Sequence, residues 1–226
     1  MGSGWNFNGS AAHELGLKPL CQQVDKHFSD CKLYRYFAAT DDPLLALDLG
    51  QYYRGFQAAA STEWPYYLEE KRRSFDYLVY IRQSTCIDPT GCTLTYAHEL
   101  QHIVQHRLYP KLLEINRVLR RDLPDFMPTA TEVDLPTEVD ANITSKRIAE
   151  IVCGADAVRR YAGGQLRLMD ATGAANQKAK WEFLLNTPSS TTYEPLVPTL
   201  EAVKKYKGRI NFGMDVERSE WWLGPT

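Results

Sequence analysis

The sequence predicts an α+β fold that is mostly helical and has a small β-sheet. Three segments indicate this: an aromatic and β-branched run at 75–82, apolar residues at helical spacing from Thr93, and a helix signal near residue 138. With 226 residues, 44% of them hydrophobic and 24% charged, the chain has the length and composition of one globular domain. We therefore expect a single domain over residues 1–226.

The elements of the first half follow from periodicity and from turn residues. Apolar side chains recur at helix-like intervals over 43–60, which predicts an N-terminal helix. The run FDYLVYIR at 75–82 is typical of a strand, and the polar and turn residues over 83–91 predict a loop. From Thr93 the spacing predicts a helix that Pro110 kinks or ends. Its expected buried stripe consists of Ala97, Leu100, Val104 and Leu108.

The second half begins with a further helical stretch and then a proline-rich segment. Its prolines predict an extended connection over 122–137. Thr137 and Asp140 resemble a capping box, which predicts a helix over 138–162 that the two following glycines would end. Alternating apolar and polar residues over 210–216 predict a late strand.

Composition excludes several classes of protein. The 26 basic and 28 acidic residues give a net charge of −2, so we expect no nucleic-acid partner and no attraction to anionic membranes. The five cysteines are odd in number and lack CxxC spacing, which favours reduced thiols over a disulfide framework. No stretch has the length of a membrane span, and no signal peptide is evident. We expect a cytoplasmic protein.

The residues that carry chemistry are His98, Glu99 and His102, in the run YAHELQH. Residues four apart lie on one face of a helix, so both imidazoles can bind one zinc ion. Glu99 would not be a ligand; it would accept a proton from the zinc-bound water and so act as the catalytic base. The alternative is that all three are surface residues of an amphipathic helix. We favour the metal site, which predicts hydrolysis.

A catalytic zinc site usually has three protein ligands, so one more is required. No histidine follows His106, and a downstream carboxylate is the natural candidate. Glu138 and its i+4 neighbour Asn142 can share a helix face, with the carboxylate as ligand and the amide orienting a ligand from behind. The segment also offers Glu132, Asp134 and Asp140. The longer side chain favours Glu138 over Asp140, and Glu132 is less favoured because it lies in the proline-rich segment that reads as extended.

The runs TLTYAHELQH and EVDAN together resemble the ImmA/IrrE-type zinc metallopeptidases, which are gluzincins. The resemblance covers roughly residues 75–155, and Gln101 stands where the family often has glycine. It implies that His98, His102 and Glu138 are the zinc ligands and that Asn142 completes the second motif. It also implies a minimal zincin fold, with a catalytic core over about 75–165, a helical N-terminal elaboration and a mixed C-terminal one.

These observations together predict a zinc metallopeptidase that hydrolyses a peptide bond in an intracellular protein partner. The resemblance implies a regulator such as a repressor or an antitoxin-like protein. We expect the sheet to lie beside the HExxH helix, with the strand at 75–82 as the edge to which a peptide adds. Tyr161 and Tyr193 are candidate oxyanion donors. Two alternatives remain open: a zinc-containing regulatory or binding module without turnover, and a zinc hydrolase of a non-peptide amide or ester.

Overall fold

A computed structural model of the chain describes residues 5–8, 16–28, 35–40, 50–54, 77–108, 116, 133, 135–172 and 175–188. These residues are mostly helical, which confirms the helical part of the predicted fold class. Within them the helices are α1 (Leu17–Asp25), α2 (Gln83–Cys86), α3 (Pro89–Leu108), α4 (Pro136–Cys153), α5 (Ala155–Thr172) and α6 (Ala175–Asn186). None of these helices is both long enough and apolar enough to cross a membrane.

Extended segments in the described residues pair as a mixed sheet. The strands are β1 (Trp5–Asn8), β2 (Arg35–Thr40), β3 (Gly50–Arg54) and β4 (Tyr77–Arg82), in the order β1-β2-β4-β3. β4 pairs in parallel with β2 and antiparallel with β3. The prediction that the strand at 75–82 is an edge is therefore wrong, because a neighbour occupies each side of β4.

Two other local predictions for the first half of the chain are also wrong. The helix expected over 43–60 contains β3, because the tyrosines of its QYYR run suit a strand at least as well as a helix. The loop expected over 83–91 contains α2 and the start of α3, where Asp88 accepts hydrogen bonds from the amides of Thr90 and Gly91. Because Asp88 caps the first turn, a helix begins at residues whose sequence is typical of a turn.

The helix expected over 138–162 is two helices in the structure. α4 begins at Pro136, after Leu135, and has no side-chain cap hydrogen bond. It ends where Gly154 adopts a φ of 92°, a conformation that costs glycine little. α5 then runs through Gly163 and Gly164, which were expected to stop it. The extended connection expected over 122–137 is wrong at its end, because Pro136 and Thr137 belong to α4. Apart from 116, 133 and 135, the rest of that connection, the helix expected up to about residue 121 and the strand at 210–216 lie outside the described residues.

The core is built around α3. Its residues from Thr90 to Ile103 are all buried, on every face of the helix and not only along the predicted apolar stripe. One hydrophobic cluster joins Ala97 and Leu100 of α3 to α1 and β4. It includes Cys21, Cys86 and Cys92, none of which forms a disulfide. A second cluster joins Leu94 to α4, α5 and α6. A helix enclosed in this way must have its polar side chains satisfied by other parts of the protein.

Candidate metal centre

α3 carries the two histidines into the interior. His98 and His102 are four residues apart, so their rings lie one turn apart on the same face, with centroids 4.6 Å apart and planes nearly perpendicular. Both residues are buried, at 6% and 8% exposure, as is Glu99 at 7%. The alternative that these are surface residues does not fit this burial.

α4 packs against α3 and brings Glu138 to the histidine pair. The Oε2 atom of Glu138 lies 3.2 Å from Nε2 of His98 and 3.4 Å from Nε2 of His102. The two Nε2 atoms are 3.0 Å from each other. Three donor atoms from two helices therefore form a small triangle, and the cluster could hold a metal ion.

The size and chemistry of the triangle suit zinc. Bond lengths of about 2.0–2.1 Å and tetrahedral angles place zinc ligands about 3.3 Å from each other. The three separations, 3.0, 3.2 and 3.4 Å, bracket that value. Two imidazole nitrogens and a carboxylate oxygen are donors that zinc accepts readily in catalytic sites.

The pKa values of the three side chains are shifted in different directions. Burial lowers the pKa of His98 to about 3, and the positive charges of Lys180 and His102 act in the same direction. Burial also acts to lower the pKa of His102, but Glu138 and Glu99 outweigh it and raise the pKa to about 9. Burial would raise the pKa of Glu138, yet the two histidines hold it well below its usual range. The cluster is thus one neutral imidazole beside an ion pair.

Two residues near the cluster act on it through charge. The negative charge of Glu99 helps to raise the pKa of His102. The positive charge of Lys180 in α6 helps to lower the pKa of His98. Its neighbour Trp181 packs in the cluster that contains Leu94, one turn before His98 on α3. The sequence pattern did not single out Lys180.

A buried hydrogen-bond network lies behind His102. Nδ1 of His102 is 2.9 Å from Oε1 of Gln105. Nε2 of Gln105 donates to Oδ2 of Asp140 at 2.6 Å and to the Thr137 carbonyl at 3.0 Å. Gln101 donates to the same oxygen of Asp140 at 2.8 Å. No role was assigned to either glutamine from the sequence. The spacing of Gln105, about one turn beyond His102, could have indicated a contact with that ring.

The other predicted site residues are placed differently. Asn142, expected to orient a ligand, is buried, and its Oδ1 has no hydrogen-bond partner within the described part of the chain. Asp140, a rejected ligand candidate, binds the two glutamines. Tyr161 packs against Gly91, seven residues and therefore about 10 Å along the helix from His98. Glu132, Asp134 and Tyr193 lie outside the described residues.

Comparisons with protein-family models, with curated proteins and with solved structures found no match for this chain. The case for a metal centre therefore depends on the geometry of its own residues. His98, His102 and Glu138 are brought together from two helices, and the charge of Glu99 acts on His102.

Proposed function

We propose that this protein is a zinc-dependent peptidase that hydrolyses a peptide bond in a protein partner. The observation that carries the proposal is the buried triangle of His98, His102 and Glu138, together with the buried Glu99 that follows His98 in the chain. An HExxH helix with a glutamate from a second helix is the donor arrangement of gluzincins. We therefore also propose that the chain belongs with the ImmA/IrrE-type metallopeptidases.

Each residue of the site has a distinct task in this proposal. Nε2 of His98, Nε2 of His102 and Oε2 of Glu138 would hold the zinc ion. Bound zinc would supply Lewis acidity, polarising the substrate carbonyl and lowering the pKa of a water to near 7. Glu99 follows His98 directly, so its side chain leaves the helix about 100° away from the ligand face. In this proposal it acts on protons and does not bind the metal.

The proton path follows from the position of Glu99. Its carboxylate accepts a proton from the attacking water, whose oxygen forms a bond to the carbonyl carbon of the substrate. The carbon–nitrogen bond then breaks, and Glu99 returns the proton to the departing amine nitrogen. The products are a carboxylate and an amine. Burial of Glu99 supports this task, because a group shielded from water interacts more strongly with developing charge.

The fold supports a peptide as substrate. β3 and β4 both contact α3, so we interpret the sheet as the layer that lies beside the HExxH helix in a minimal zincin. Within the described residues β3 is an outer strand, and it is the one strand that runs antiparallel to its neighbour. An extended peptide could add to this edge through main-chain hydrogen bonds. A repressor or antitoxin-like regulator with an exposed linker would offer such a segment.

The test is a comparison of new protein N-termini in cells that express wild type or Glu99→Gln. The variant keeps the size of the side chain and the metal ligands, so it should bind zinc like wild type and generate no new termini. Glu182→Gln, the same change on the exposed face of α6, is the matched control and should cleave like wild type. Cleavage by Glu99→Gln at the wild-type rate would refute the assigned base.

The same experiment separates the two alternatives. A regulatory module without turnover would produce no new termini in either strain, and its cellular effect would survive Glu99→Gln. A hydrolase of a non-peptide amide or ester would also leave protein termini unchanged, but its effect would depend on Glu99. Metal analysis after zinc reconstitution comes first, and a protein without bound zinc would refute all three.

A further inference from the structure

We infer that Gln105 and Asp140 position His102 for metal binding, with the Gln105 amide joining the His102 ring to a carboxylate of α4. The inference rests on the metal site of the proposed function but does not depend on hydrolysis. It adds two positioning residues that contact neither metal nor substrate. Both are enclosed, since Gln105 is 0% and Asp140 1% exposed.

The surroundings of Gln105 fix the orientation of its amide. Its nitrogen lies between two groups that can only accept, the Asp140 carboxylate and the Thr137 carbonyl. An amide rotated by 180° would place its oxygen against both acceptors and lose two buried hydrogen bonds. The oxygen of Gln105 must therefore face His102.

The orientation of Gln105 in turn fixes the His102 ring. Because Oε1 of Gln105 can only accept, Nδ1 of His102 must carry a hydrogen and donate it across the 2.9 Å contact. In the neutral ring, the lone pair is then on Nε2, the atom that faces His98 and Glu138. A histidine held in this tautomer is ready to bind a metal.

The two histidines differ in this respect. Nδ1 of His98 is buried and has no hydrogen-bond partner within the described residues. His102 is therefore the anchored ligand of the pair. Asp140 lies two residues after Glu138 in the same helix, so the docking of α4 against α3 places the third ligand and the anchor of His102 together. Metal affinity should depend on this network as well as on the ligands.

The test compares two substitutions that each remove one amide donor from Oδ2 of Asp140. Gln105→Leu also removes the bond to His102, whereas Gln101→Leu does not. Zinc affinity, measured by competition with a chelator, should fall about 10–100-fold in Gln105→Leu. Gln101→Leu should show a clearly smaller loss. Equal losses would overturn the inference, because they would indicate a general effect on packing.

A double variant separates positioning from damage to the fold. In Gln105→Glu with Asp140→Asn, the new carboxylate can accept from His102 and from the new amide, so the charge and the bond to His102 are kept. The bond to the Thr137 carbonyl is lost, and Gln101 must turn its amide so that its oxygen accepts from the new amide. This variant should recover part of the zinc affinity that Gln105→Leu loses. A double variant that binds zinc no better than Gln105→Leu would also overturn the inference.

Nuclear magnetic resonance of the metal-free protein gives a readout that needs neither zinc nor substrate. Wild type and Gln101→Leu should show a slowly exchanging Nδ1–H resonance from His102, and Gln105→Leu should lack it. If wild type keeps this resonance but never cleaves a peptide, the proposed function fails and the inference stands. If wild type cleaves peptides while Gln105→Leu keeps the resonance, the inference fails alone.

Discussion

Zinc binding should release a proton, and the structure predicts the pH range in which this limits affinity. The pKa of His102 is about 9 and that of His98 about 3 in the metal-free cluster. At pH 7 His102 therefore carries a proton that must leave when Nε2 binds zinc. We expect affinity to rise about tenfold per pH unit from 7 to 9, or about 100-fold in all, and then to level off.

Calorimetric titration in two buffers of different ionisation enthalpy counts that proton directly. Wild type should release about one proton per zinc ion at pH 7 and progressively less above pH 9. Glu138→Gln is the informative comparison, since it removes the carboxylate that raises the pKa of His102. That variant should bind zinc more weakly and release less than one proton at pH 8. A wild-type affinity that does not change between pH 7 and 9 would refute the reasoning.

The same two histidines make the free energy of unfolding of the metal-free protein depend on pH. The folded pKa of His102 is raised to about 9 from an ordinary value of 6.5, so its contribution is complete below pH 6.5 and lost as pH rises through 9. His98 has the opposite sign: with its pKa lowered to about 3, its contribution is present above pH 6.5 and lost as pH falls toward 3. Denaturant titrations of metal-free protein between pH 5 and 10 would therefore show falling stability above neutrality, and a flat profile there would contradict the assigned ion pair.

Three further predictions concern residues around the cluster. Gly91→Ala should lower the free energy of unfolding by about 1–3 kcal/mol in thermal or denaturant titrations, because the added Cβ would lie 2.4 Å from Oη of Tyr161; unchanged stability would show that the ring moves freely. Lys180→Met should strengthen zinc binding a few-fold at low salt and less at high salt, since its charge acts on His98; an affinity that falls would mean that the lysine supports the site. Asn142→Ala should weaken zinc binding less than Gln105→Leu, because the Oδ1 of Asn142 has no hydrogen-bond partner in the described residues, and a loss of equal size would restore the orienting task predicted from its sequence position.

Local spacing was enough to predict the histidine pair, but not the rest of the site. The i, i+4 relation of His98 and His102 places both rings on one helix face whatever the rest of the chain does. Glu138 is 36 residues further on, and its approach depends on how α4 docks against α3. Local reasoning could favour Glu138 only by its side-chain length relative to Asp140 and by its i+4 neighbour Asn142, and the resemblance to a family supplied the rest.

Errors in the fold arose where two local signals compete. QYYR within 43–60 fits both helical spacing and a strand, and pairing with β4 decides in favour of the strand. Gly154 ends α4 through its backbone conformation, whereas Gly163 and Gly164 remain inside α5. Gly154 thus differs from the two later glycines, because glycine permits a positive φ without requiring it.

The burial of α3 on all sides explains why the hydrogen-bond network was invisible to the sequence pattern. In an amphipathic helix the apolar face is buried and the polar face lies in water. In that arrangement Gln101 and Gln105 would be solvent-exposed residues with no structural role. In the structure the polar face meets the polar first turns of α4, where Glu138 and Asp140 receive it. Buried polar groups cost free energy unless they are paired. The two glutamines thus donate the hydrogen bonds that the buried Asp140 of α4 needs. In turn, α4 supplies Glu138 as the third ligand and Asp140 as the group that holds Gln105 against His102, which together make a metal site of the two histidines.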